Sequence, residues 1–62
     1  MKRAKLIKYL MQNDCLFYRE GANHTLYYHL ETNQVTAVPR HNEIGDLFCN
    51  EICKQLGIPK IK

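Results

Sequence analysis

Residues 15–38, CLFYREGANHTLYYHLETNQVTAV, decide the fold. Cys15-Leu16-Phe17-Tyr18-Arg19 is short, aromatic and suited to a pleated surface, so it reads as a strand. Glu20 to Asn23 is a turn around Gly21. Thr25-Leu26-Tyr27-Tyr28-His29 reads as a second strand, followed by the polar turn Glu31-Thr32-Asn33-Gln34. Val35-Thr36-Ala37-Val38 is a third strand, which Pro39 stops. Two short connections in a row make an antiparallel meander.

Outward from this meander, each flank reads as a helix. Ala4, Leu6, Ile7, Leu10 and Met11 recur at helical spacing, with Lys5, Lys8, Tyr9 and Gln12 on the other side. Asn13-Asp14 ends this helix of about three turns, because both residue types favour turn conformations. Beyond the charged linker Arg40 to Glu43, helical spacing resumes with Ile44, Leu47, Phe48, Ile52 and Leu56. Gly45-Asp46 supplies the cap, and Asp46 places negative charge at the positive helix end. Gly57 suits the position after the helix and Pro59 lies just beyond, so the helix is predicted over Asp46 to Leu56. The expected fold is α+β in the order α-β-β-β-α, with both helices on one face of a three-stranded antiparallel sheet. The opposite face is then open to solvent or to a partner.

The chain has 62 residues, which allows one domain over residues 1–62. A domain of this size buries only about 60% of its unfolded surface. It has no room for a cofactor cavity and a lid, so an enzyme here would work on its surface, on a large substrate. Nine Lys and Arg against six Asp and Glu leave +3, which fits a polyanionic partner. The cysteines at 15, 49 and 53 are odd in number, so they cannot form a complete disulfide framework. Neither a signal-peptide core nor an apolar run of the ~20 residues needed to cross a bilayer is visible. The expected setting is a reduced, cytoplasmic one without membrane contact.

His24 stands where a turn becomes a strand. An imidazole ordinarily titrates near pH ~6.5 and exchanges protons at neutrality. In RNA cleavage a base removes the 2′-OH proton and the oxygen attacks phosphorus. An acid then protonates the departing 5′-oxygen, and no metal is required. A lone histidine is not specific evidence, and by residue type alone a half-exposed polar residue of no role is the favoured reading. His29 is an odd number of positions from His24, which puts the two on opposite strand faces. His41 follows Pro39-Arg40 in the linker, where both it and Arg40 are free to reach a phosphate or simply to be solvated. Lys2, Arg3, Lys5 and Lys8 make the first helix basic, and Lys54, Lys60 and Lys62 do the same for the C-terminus. Such residues neutralise backbone phosphates without reading sequence, or form an ordinary charged surface. Tyr18, Tyr27 and Tyr28 can stack on unpaired bases or pack across strands. Cys49 and Cys53, at i and i+4, share a helix face. They read as small buried thiols rather than as half of a zinc site, because no paired short-spaced clusters occur.

In order and spacing, these pieces resemble the HicA family of bacterial toxins, small mRNA interferases. The resemblance runs through the basic helix Lys2 to Met11, Cys15 to Arg19, Gly21-Ala22-Asn23-His24 and Leu26-Tyr27-Tyr28. It continues through Val38-Pro39-Arg40-His41, Glu43-Ile44 and Cys53 to Ile58, and so covers nearly the whole chain. It implies a double-stranded-RNA-binding-domain-like fold, the toxin role of a type II toxin–antitoxin system, and ribosome-independent cleavage of mRNA. It further implies growth arrest and neutralisation by a HicB-type antitoxin. The family's catalytic histidine follows a glycine and a Ser or Asn, and the matching residue here is His24 after Asn23. Lys2, Arg3, Lys5, Lys8, Asn23, Arg40 and His41 are the expected RNA-binding residues, with no cofactor, metal or small-molecule ligand. Ala22 stands in the usual glycine slot, where a left-handed backbone would cost energy. Phe48, Asn50 and Glu51 depart from a more basic second helix. The alternatives from other classes are a non-catalytic RNA-binding module and a protein-interaction domain.

Overall fold

A computed structural model describes residues 1–61. Helix α1 spans Arg3–Gln12, strands β1, β2 and β3 span Cys15–Glu20, His24–His29 and Val35–Pro39, and helix α2 spans Asp46–Leu56. The strands form one antiparallel sheet in the order β1-β2-β3. The predicted α-β-β-β-α architecture is therefore the observed one, and α2 has the predicted bounds. Gly57 takes the left-handed conformation, φ 72°, that closes a helix. Asp14 and Asn33 adopt φ 64° and 61° in the connections after α1 and β2, a region that Asp and Asn enter more readily than most residues.

Strand β1 runs one residue further than expected, to Glu20, which pairs with Thr25 instead of opening the turn. Two other boundaries differ in ways that concern the candidate site. Strand β2 begins at His24, not Thr25, and β3 includes Pro39, with which His24 is paired. Proline is tolerated there because β3 is an edge strand, and at its last residue a missing N–H costs the sheet nothing.

Alternation along the strands assigns the two faces. Thr25, Tyr27, Thr36 and Val38 are buried beneath the helices. Val35, Leu16 and Tyr18 are exposed, and Leu26 and Tyr28 are half-buried. Leu6 and Leu10 of α1 meet Cys49, Ile52, Cys53 and Leu56 of α2 over Cys15, Tyr27 and Val38, closed by Ile44 and Ile58. The buried set of α2 falls at i, i+3, i+4 and i+7, one stripe of the helix. Leu47 and Phe48 lie off this stripe and are exposed, as are Ala4 and Met11 on α1. These four depart from the predicted apolar faces, because the cysteines fill the inward positions of α2 and Leu6 and Leu10 suffice for α1.

The two buried threonines are satisfied by side chains. Thr36 donates to Gln55 Oε1 at 2.6 Å, and Thr25 donates to Glu20 Oε1 at 2.8 Å. The linker after β3 is tied to the N-terminus: Arg3 N donates to Asn42 O at 2.8 Å and Ile44 N to Met1 O at 2.9 Å. Lys2 and Glu43 form an isolated bridge.

Leu10 is fully buried. Leu10→Ala is expected to cost about 2–5 kcal/mol, read as a lowered midpoint in urea. Burial pushes the Cys15 thiol from 9.0 up to about 11, with Cys53 and Asp14 adding to the rise. The folded state thus keeps a proton that the unfolded chain releases. Stability is full below pH ~9 and declines between pH ~9 and ~11. Thermal melts across that range should show the decline, and Cys15→Ala should make it shallower.

Candidate functional site

Gly21 and His24 close the β1–β2 connection, with Gly21 N donating to His24 O at 2.7 Å. Only Ala22 and Asn23 lie between them. Two-residue hairpin loops normally use positive φ to match the strand twist. Neither Ala22 nor Asn23 has it, and neither does Gly21. Ala22 therefore carries no left-handed strain, and the glycine slot it occupies needs no glycine on that account. Gly21 has a different constraint: a Cβ there would sit 3.1 Å from His24 O.

The connection is held from outside by Arg40. Its guanidinium donates to Gly21 O at 2.6 Å, Ala22 O at 3.2 Å and His24 O at 3.2 Å, and pairs with Glu20 Oε1 at 2.9 Å. Behind the sheet, Arg3 donates from Nε to Pro39 O at 2.8 Å and from Nη2 to Thr25 Oγ1 at 3.0 Å. The Glu20 carboxyl lies below its ordinary value of 4.5, chiefly through the Thr25 and Arg40 hydrogen bonds, with the charges of Arg40 and Arg3 adding.

The His24 side chain is exposed at the start of β2, and its imidazole has no hydrogen-bond partner among the described residues. It shares the open face with Leu26 and Tyr28 by strand alternation. His29 lies at the other end of β2 on the opposite face, where its Nδ1 accepts from Glu31 N at 3.1 Å. His41 is exposed two residues after Pro39, the cross-strand partner of His24. The fold thus brings His24, Asn23, Arg40 and His41 to one end of the sheet, with Arg3 behind them.

The remaining expected residues spread along α1. Lys2, Lys5 and Lys8 are exposed, and the first turn of α1 contains no acidic residue. Lys2 and Lys5 line a groove of about 540 Å³ with Glu43, Asp46 and Asn50, so carboxylates temper the positive charge there. His24 does not line this groove. Of its two readings, Tyr27 takes cross-strand packing, because it is buried and meets Phe17 edge-on, with ring centres 6.2 Å apart. Tyr18 and Tyr28 pack at 5.9 Å, and Arg19 lies over Tyr18 at 5.7 Å. Burial raises the Cys49 and Cys53 thiols, and no cluster of metal-ligating side chains occurs among the described residues. Lys62 lies outside the described residues.

The sequence profile of the family described as HicA toxin of bacterial toxin-antitoxin matches residues 3–58. The chain belongs to the HicA toxin family. It is the toxin of a toxin–antitoxin system, so its partner is a cognate antitoxin. No match was found among curated proteins or among solved structures. Among the described residues, no helix of this HicA-family chain is long and apolar enough to cross a membrane.

Sequence reading missed the tie between Arg40 and the β1–β2 connection. The signal available was the pairing of a basic linker residue with Glu20, visible only once β3 is placed beside β2. Carboxyl-carbon NMR titration should give Glu20 a midpoint below 4.5, and Arg40→Ala should move it upward, because one hydrogen bond and one positive charge are lost.

Proposed function

We propose that this toxin is an endoribonuclease that cleaves mRNA by proton transfer through His24 and so blocks translation. The observation that carries the reading is the exposed, unpartnered imidazole at the end of the sheet where Arg3 of α1 reaches Pro39 and the Arg40-His41 segment begins. In the reaction a base takes the 2′-OH proton and the oxygen bonds to phosphorus. The bond to the 5′-oxygen breaks as an acid protonates that oxygen. The products are a 2′,3′-cyclic phosphate and a 5′-hydroxyl. His24 carries one of these two protons. The route requires no metal ion and no cofactor.

Placement on the surface suits a polymeric substrate, which is held by its phosphates instead of being enclosed. Lys2, Lys5 and Lys8 supply sequence-independent attraction, strengthened by the positive end of the α1 dipole. Cationic residues in that first turn weaken the helix itself, and a local cost of this kind is expected where function requires it. Asn23 precedes His24 in the chain and His41 lies two residues beyond Pro39, the strand partner of His24, and both are the phosphate and sugar contacts in this reading. The α-β-β-β-α order is that of double-stranded-RNA-binding domains. The neutralising partner is an antitoxin of the HicB type.

Purified protein is expected to cut single-stranded RNA in the presence of EDTA. His24→Ala should lower the cleavage rate by about 10²–10⁴-fold and abolish growth arrest, with an unchanged circular dichroism spectrum. Full cleavage by that variant would remove His24 from the mechanism.

A further inference from the structure

We propose that Arg40 is a positioning residue that sets the His24 turn in its cleaving geometry and is not a phosphate ligand. The inference rests on the ribonuclease reading above and assigns a role within that site.

Three observations lead to it. The first is the turn itself. The connection Gly21-Ala22-Asn23 has no positive φ, so it lacks the backbone twist that normally matches a short hairpin loop to its strands. A register irregularity between Phe17 and Arg19 adds local twist on the β1 side. Within the turn, the Gly21 N to His24 O hydrogen bond is the one local tie among the described residues.

The second is where the guanidinium is spent. Its two terminal nitrogens serve Gly21 O, Ala22 O, His24 O and Glu20 Oε1. These acceptors come from both sides of the turn, and one is the backbone carbonyl of His24. A planar, multiply donating group can span acceptors arranged in this way, whereas an ammonium acts as a compact point charge. These contacts take both Nη2 hydrogens and one on Nη1, so the orientation of the guanidinium is set by the turn, and only Nε–H and one Nη1–H remain without a partner among the described residues.

The third is support from behind. Glu20 Oε1 also accepts from Thr25 Oγ1, which in turn accepts from Arg3, and Arg3 also binds the carbonyl of Pro39, the partner of His24. A continuous chain Arg40–Glu20–Thr25–Arg3 thus brackets His24 from both strands. Each member binds the next, and together they fix the backbone from which the His24 imidazole projects.

Lysine at position 40 separates positioning from charge. Arg40→Lys keeps the positive charge but loses the fork, and Arg40→Ala loses both. Both variants are expected to lower kcat on a short RNA oligonucleotide by ~10²-fold, the scale of a misplacement of about 1 Å. KM should change less than twofold, and the salt dependence of RNA binding to the inactive His24→Ala background should keep its slope. The amide of Gly21 should exchange faster in both variants, while the thermal midpoint moves little. A phosphate ligand would give a different pattern: near-normal kcat in Arg40→Lys, raised KM in Arg40→Ala, and a salt slope reduced by about 0.7. That pattern would overturn the proposal. So would unchanged exchange at Gly21 in Arg40→Lys. If the wild-type protein leaves RNA intact, the ribonuclease reading fails, and the exchange measurement still decides whether Arg40 clamps the turn.

Discussion

A single layer of apolar contact holds this chain together. Leu6 and Leu10 from one helix and Ile52, Cys53 and Leu56 from the other press on Cys15, Tyr27 and Val38. A chain of 62 residues does not provide a second such layer. The helices therefore cover one face of the sheet and leave the other bare. β1 shows the limit of the cover, because Cys15 is its only buried residue. The bare face with its exposed histidine is thus a consequence of how little the core can enclose.

Scarcity of core also explains why polar side chains shape the ends of the sheet. Where apolar packing runs out, geometry must come from hydrogen bonds. At the His24 end that means two arginines, a carboxylate and a threonine in one connected set. At the opposite end Gln55 reaches Thr36, and Tyr9 donates to the carbonyl of Pro59 at 2.7 Å. Basic residues in this protein accordingly divide by task. Arg3 and Arg40 face backbone carbonyls and side-chain oxygens of the chain itself, while Lys2, Lys5 and Lys8 face solvent. Guanidinium groups suit the first task through their several fixed donors, and ammonium groups suit the second.

Much of the fold was legible because local rules were strong. The inward stripe of α2, its glycine stop and the flanking proline all agree on one helix, and its bounds came out as read. The strands were legible from β-prone residue types and turn residues. Less legible was which apolar residues go inside. Leu47 and Phe48 look like core by type, yet the small thiols Cys49 and Cys53 take the inward positions. Hydrophobicity is a property of the residue, but burial depends on the direction from which the partner element arrives. For Tyr27, residue type allowed base stacking or cross-strand packing, and its place under the helices against Phe17 selects packing.

The resemblance to the HicA family singled out His24 as the candidate proton carrier. By itself the sequence determined the order of elements, the bare sheet face and the basic first helix. These follow from periodicity, turn chemistry and residue type, all of which act over a few neighbouring positions. Tertiary structure alone decided the company His24 keeps. Arg3 and Arg40 are separated from it by 21 and 16 positions in the chain, and they reach its turn only because β3 pairs with β2 and α1 begins beside the carbonyl of Pro39. Contacts at such separations depend on how elements stack, and no local pattern encodes that.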